Sequence, residues 1–259
     1  MSSDNLSEIL LAPDCEASLL QALESGEMDS LVPELSLLSM EQDPIHKHKD
    51  VLAHTIAVVS KTEPEITVRL SALFHDIGKP KTRSFEHGGV TFRHHEIVGS
   101  RMARKRLGKL GYSEQVIDEV VELVRLSGRF KGYADGWSDS AVRRYARDAG
   151  PLLGKLNHLI RCDCTTRNEN KARGVQEAMD DLERRIAALA EEDRQAAERP
   201  GLNGVEIMEY LNINPGPDVA EALTHLLKIK RNEGDLDSKE LRIRLDAWWK
   251  LRNKESSEH

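Results

Sequence analysis

Leu70-Ser71-Ala72-Leu73-Phe74-His75-Asp76-Ile77-Gly78-Lys79-Pro80 is the stretch whose reading decides the fold. Leu70, Leu73, Phe74 and Ile77 recur at helical spacing, giving one apolar face for burial. Gly78 and Pro80 predict the end of that helix, with Lys79 between them. His75 and Asp76 then fall side by side in the last turn of a buried helix. An unpaired carboxylate there is costly, so Asp76 needs a partner. A divalent metal is the natural candidate, because imidazole and carboxylate are both ligand types that can converge on one ion. Lys79, just past the predicted end, is placed to reach a bound anion.

Working outward, the composition is that of a helical protein. Aromatic residues are 4% of the 259, β-branched alternation is scarce, and Ala, Leu, Arg and Glu abound. No apolar run approaches the length of a membrane span, and no basic-then-apolar leader opens the chain, so no membrane partner is expected. Three cysteines, Cys15, Cys162 and Cys164, are too few for a disulfide framework, and a reducing cytoplasm is the expected compartment. Residues 101–173 carry 16 Lys and Arg against 9 Asp and Glu, a local charge of +7 in a chain of net −7. A basic centre in an acidic chain suits a phosphate-bearing ligand, or is simply a set of solvated helix faces.

The local signals predict an all-α, multi-helix bundle with one small β-hairpin near 82–93 and a small C-terminal helical appendage. Residues 1–45 read as an N-terminal helical segment with a break at Pro33, 46–198 as the main domain and 199–259 as the appendage. Asp50 predicts the cap of a helix through Val51, Thr55 and Val58 with His54 one turn in. His87-Gly88-Gly89 between Thr82–Glu86 and Val90–Arg93 reads as the hairpin turn. Gly111 stops one helix and Ser113 starts the next, Ser127–Trp137 reads as a site-lining loop, and Pro151 suits a first helical turn. Asn203-Gly204-Val205-Glu206 has capping-box spacing after the break at Pro200-Gly201.

His54 lies on the core-facing side of its helix, and Asp163 lies within the apolar-faced Leu153, Leu156, Leu159, Ile160 helix. Antiparallel packing can bring both to His75 and Asp76. A set of two histidines and two aspartates suits manganese, iron, zinc, nickel or magnesium without choosing among them.

The pattern of a His, then His-Asp, then a distant Asp, all on helices, resembles the HD-domain metal phosphohydrolase superfamily, and Leu73–Lys79 is similar to its central motif. Together with His48-Lys49-Asp50-Val51, Pro80-Lys81-Thr82-Arg83, His95-Glu96, Asp139–Tyr145, Asp163–Asn168, Arg199–Gly204 and Pro215-Gly216-Pro217, it resembles the HD-bearing C-terminal half of bacterial CCA-adding tRNA nucleotidyltransferases. The resemblance implies His54, His75, Asp76 and Asp163 as ligands of one divalent ion, with His95 at the position of a ligand to a second.

The chain departs from that resemblance in two ways. The nucleotidyltransferase head has no counterpart, and Asp235-Leu236-Asp237, spaced like its paired aspartates, reads as capping chemistry between helices. Ser127 and Lys131 stand near positions where relatives often place histidines, which leaves a second ion fewer ligands.

The activity implied is that of a stand-alone metal-dependent phosphohydrolase acting on a phosphomonoester or phosphodiester of a nucleotide or RNA end. Asp76 orients the attacking water, and Lys79 with Arg125, Arg129 or Arg167 steadies phosphoryl charge. His95 or His48 protonates the leaving oxygen, or His48 contacts substrate. The alternative is a non-catalytic tRNA- or RNA-binding body, or a partner subunit to a separate head.

Overall fold

The computed structural model describes residues 2–40, 50–86, 89–166 and 168–255. Helices α1 (Ser3–Leu11), α2 (Cys15–Glu24) and α3 (Glu27–Leu31) lead into a 3-10 turn over Pro33–Leu38, the break expected at Pro33. Next come α4 (Val51–Lys61), α5 (Ile66–Phe74) and the short α6 (Lys79–Thr82). Strands β1 (Arg83–Glu86) and β2 (Gly89–Phe92) pair antiparallel, with Arg83 opposite Phe92 and Phe85 opposite Val90. Then follow α7 (His95–Leu110), α8 (Glu114–Leu126), α9 (Asp139–Ala149), α10 (Leu153–Asp163) and the long α11 (Glu169–Ala197). The chain closes with α12 (Gly204–Leu211), α13 (Pro217–Glu233) and α14 (Ser238–Glu255), so the fold is all-α with a small hairpin.

The chain divides into two units, Met1–Leu189 and Ala190–His259. In the first, α5 is the central helix. Every residue from Thr67 to Phe74 is buried, and α1, α4, α7, α8 and α10 pack around it. A helix enclosed on all sides must satisfy its own polar side chains. Ser71 Oγ donates to the Thr67 carbonyl at 2.7 Å, and Arg69 donates to the Leu10 carbonyl at the end of α1. In the second unit, Leu202, Ile207, Ala222, Leu226, Ile229, Leu241 and Leu245 form a separate apolar core.

Local chemistry sets the helix ends. Asp50 caps α4 by accepting from Ala53 N at 2.6 Å, Ser113 caps α8 and Ser138 caps α9. Gly111 ends α7 in the left-handed conformation that glycine adopts without a Cβ penalty. Asn203 and Glu206 form the capping box of α12, and Asp237 Oδ1 accepts from Lys239 N and Glu240 N, both at 2.9 Å, at the start of α14. Pro151 falls in a 3-10 turn, Gly150–Leu152, just before α10.

The decisive stretch differs from its sequence reading in one respect. α5 ends at Phe74, so His75 and Asp76 occupy a tight turn after the helix, and Pro80 opens α6 instead of ending the helical run. Proline explains this. A continued helix would need residue 80 to donate an N–H to the Asp76 carbonyl, and would press the ring into that oxygen. The Asp76 carbonyl accepts from Lys79 N at 2.9 Å instead.

Gly78 lets this turn touch the start of α7. A Cβ there would lie 2.1 Å from the His95 carbonyl oxygen and 2.7 Å from Gly99 N. Backbone cannot yield as a side chain can, so Gly78→Ala should destabilise the protein by about 1–3 kcal/mol. Gly108→Ala in the same α7, where an added methyl meets nothing within 4 Å, should be neutral or stabilising. Denaturant midpoints of the two variants check this.

Candidate metal centre

Three separate elements bring their side chains to one point. The Asp50 cap sets the register of α4 and puts His54 on its buried side with Val51, Thr55 and Val58. At the far end of α4, Lys61 Nζ donates to the Cys164 carbonyl at 2.8 Å. Cys162 Sγ donates back to the Lys61 carbonyl at 3.5 Å, so the last turn of α10 is fastened to α4. Those bonds carry Asp163 to His54, while the turn after α5 supplies His75 and Asp76 from the centre of the bundle.

His54 Nε2 lies 3.2 Å from His75 Nε2, 2.9 Å from Asp163 Oδ1 and 3.6 Å from Asp76 Oδ2. His75 Nε2 lies 3.3 Å from Asp76 Oδ2 and 3.4 Å from Asp163 Oδ1. His54, His75 and Asp76 are buried and offer ligand atoms within 4.8 Å of one another. The Asp163 side chain is 44% exposed and closes the open side. Two ligands on a single ion at about 2.0–2.2 Å stand about 3–3.5 Å apart at tetrahedral or octahedral angles, close to the spacing found here.

The outer nitrogens fix how the rings face. His75 Nδ1 donates to the Ala72 carbonyl at 2.7 Å, and His95 Nδ1 donates to the Phe92 carbonyl at 2.8 Å. His54 Nδ1 meets the Thr165 hydroxyl at 2.9 Å. With their outer nitrogens engaged, all three rings turn Nε2 inward, the arrangement that orients imidazoles toward a cation. Without positive charge between them, neutral imidazole lone pairs and carboxylate oxygens would face one another. The residues therefore fit a divalent ion, and His54, His75 and Asp76 can hold one.

Protons and Lys79 meet the same demand from within the chain. Burial pulls the His75 pKa down, but the charge of Asp76 and the hydrogen bonds to Asp163 and Asp76 outweigh it and raise it to about 10. Burial pushes Asp76 up, yet the charge of His75, bonds to His75 and His95, and the charge of Lys79 bring it well below the usual carboxylate range. Asp163 is likewise lowered against its burial, chiefly by its bonds to His54 and His75.

Lys79 is buried and donates to Asp76 Oδ2 at 2.6 Å, so its ammonium is held by the carboxylate beside the cavity. His95 Nε2 sits 3.4 Å from Asp76 Oδ1. A cavity of about 230 Å³ opens over the cluster, walled by Lys79, His95, Ser127, Gly128 and Lys131 besides the four candidate ligands. Arg125 and Arg129 are not brought to it. Arg125 is paired with Glu122 one turn back on α8 and Arg129 with Asp148. His48 and Arg167 lie outside the described residues.

Two side chains have roles that were not assigned from the sequence. Lys131 is exposed at the cavity, and its ammonium has no acidic partner among the described residues. Thr165 sets the outer face of His54; a hydroxyl two residues after Asp163 was the available signal. Cys162 and Cys164 are free thiols, the first buried.

Comparison with known proteins gives the family. Residues 50–194 match the HD domain, and the chain belongs to that family. It is 32% identical over 258 residues to the CC-adding tRNA nucleotidyltransferase of Thermus thermophilus, covering 95% of this chain and 56% of that enzyme. It is 29% identical over 242 residues to the A-adding tRNA nucleotidyltransferase of Deinococcus radiodurans, covering 88% and 53% respectively. The chain spans about half the length of these curated relatives, matching their C-terminal portions. Among the described residues, no helix is long and apolar enough to cross a membrane.

The raised His75 value gives a pH signature. A group whose folded pKa lies above its unfolded value of about 6.5 stabilises the fold below that value. For His75 this contribution is lost as pH rises toward about 10. The two lowered carboxylates act oppositely, their contribution being lost as pH falls below the ordinary carboxylate range. An entering divalent ion must displace the His75 proton. Titration calorimetry with Mn²⁺ or Zn²⁺ at pH 7, in buffers of different ionisation enthalpy, should therefore report about one proton released per ion. Release of none would contradict the assignment.

Proposed function

We propose that this HD cluster is the centre of a metal-dependent phosphohydrolase cleaving a phosphomonoester or phosphodiester of a nucleotide or RNA end. The single observation that carries the reading is the set of three imidazoles, each held through Nδ1, turning Nε2 toward Asp76 and Asp163 at the floor of an open cavity. His54, His75, Asp76 and Asp163 would hold the divalent ion, a donor set open to Mn, Fe, Mg, Ni or Zn. Such an ion supplies a lowered pKa for water and charge neutralisation for a phosphoryl oxygen.

The chain's own groups do the rest. Lys79 keeps Asp76 ionised and fixed, and leaves a positive charge beside the phosphoryl position. Lys131, exposed at the cavity, draws in the phosphate. His95 has Nδ1 committed to a carbonyl, so a second proton can reside only on Nε2, the atom that lines the cavity. That places a proton where a leaving oxygen needs one.

The relatives' activity on tRNA supports a second reading, in which the chain carries tRNA as a non-catalytic body. The local charge of +7 over residues 101–173 favours it as well.

Elemental analysis together with phosphate or alcohol release separates the readings. The panel is bis-p-nitrophenyl phosphate, 2′,3′-cyclic nucleotides and nucleoside monophosphates. The hydrolase reading predicts stoichiometric metal and turnover, with Asp76→Ala losing about 10³-fold or more in kcat/KM. Lys131→Ala should raise KM about tenfold with a smaller effect on kcat. Turnover unaffected by Asp76→Ala would sink the assignment. Absent metal and turnover, with salt-dependent tRNA binding, would leave the second reading standing.

A further inference from the structure

The β-hairpin carries a feature that neither ligand geometry nor packing explains. Residues directly opposite in an antiparallel pair share a face, as do residues two apart on one strand. The register therefore puts Arg83, Phe85, Val90 and Phe92 on one face of the hairpin. Contacts bear this out, since the Arg83 guanidinium lies 5.1 Å from the centroid of the Phe85 ring.

That face begins at the cavity. Lys79 Nζ, on the cavity wall, lies 5.6 Å from the centroid of the Phe92 ring. Cation and ring then alternate outward as Lys79, Phe92, Arg83, Phe85. Phe85 at the outer end is 73% exposed, the most exposed large apolar side chain among the described residues. The Arg83 guanidinium meets one face of that ring, and the remaining ring surface is open for a flat ligand to cover.

Size argues the same way. The cavity holds about 230 Å³, below the roughly 300–1,000 Å³ of a pocket that encloses a drug-sized molecule. A phosphoryl group fits inside while the remainder of its ester lies over the neighbouring surface. Phe92 lies 5.6 Å from Lys79 on the cavity wall, and Phe85 is two residue pairs further along the ladder, about 7 Å, so the platform runs outward from the cavity in the direction a bound ester would extend.

We infer that this hairpin face is a stacking platform, with Phe85 taking the nucleobase of a nucleoside phosphate whose phosphate enters the cavity. Arg83, already seated on the Phe85 ring, provides a cation beside the sugar-phosphate. Stacking accepts any base, so the platform selects a nucleoside over a baseless ester and not one base over another. The inference rests on the phosphohydrolase reading for the position of the phosphate.

The test compares adenosine 5′-monophosphate with ribose 5-phosphate, in protein loaded with Mn²⁺. Phe85→Ala should reduce the ratio of kcat/KM for the two by about tenfold, and Phe85→Trp should restore it. An unchanged ratio overturns the platform.

If the parent protein turns over neither compound, the phosphohydrolase reading fails on its own. Stacking is then judged by fluorescence of Phe85→Trp against the parent. Extra quenching by adenosine 5′-monophosphate but not by ribose 5-phosphate supports the platform, and equal or absent quenching overturns it. A tetranucleotide RNA ending in a 3′-phosphate forms the last arm. A larger Phe85→Ala loss on the RNA identifies an RNA terminus as the source of the base, and a larger loss on the monophosphate identifies a free nucleotide.

Discussion

Lone pairs that face each other need a cation between them, and the centre of this protein is organised by that requirement. Two imidazoles and two carboxylates from three parts of the chain meet within hydrogen-bond range, inside a bundle whose other interior contacts are mainly apolar. Such a gathering would be destabilising if nothing positive joined it. Lys79 contributes one fixed charge, His75 holds a proton, and the donor set has the chemistry and spacing to bind a metal. A chain assembled only for packing gains nothing from this arrangement, which is why the cluster carries functional meaning and the long polar face of α11 does not.

The backbone around the cluster serves the same convergence. Pro80 denies the Asp76 carbonyl its helical partner and forces the tight turn that carries both side chains of the His-Asp pair. Gly78 removes the one methyl that would hold α7 away, and so admits His95 to the group. The ties between Lys61, Cys162 and Cys164 bring the end of α10 alongside α4. None of these contacts is itself chemical in function. Each fixes a distance that the chemistry uses.

Much of this was legible in the sequence because it is local. The caps at Asp50 and Ser113, the stop at Gly111, the box at Asn203 and the hairpin all depend on residues within a few positions of one another. The approach of His54 and Asp163 to His75 followed from apolar helix faces together with the family resemblance, since spacing alone cannot say which helices are neighbours. What escaped was tertiary. Arg129 looked free to meet substrate, yet its carboxylate partner Asp148 stands 19 residues on, beyond any helical rule. Lys131 looked like a lost ligand, and only the folded loop turns it toward the cavity. Glu122 was the exception, one turn from Arg125 and so open to view as its partner.

The three rings are not anchored alike, and the difference has a consequence. His75 and His95 face carbonyl oxygens, which only accept, so each must keep a hydrogen on its outer nitrogen. His54 faces the Thr165 hydroxyl, which can give or receive. Its hydrogen can sit inward, bonded to Asp163, or outward on Thr165 with the inner nitrogen bare, and no heavy atom need shift between the two. Rotation of one hydroxyl thus readies His54 to act as a ligand by a change of tautomer alone, whereas His75, fixed by a carbonyl, can do so only by giving up its inner proton.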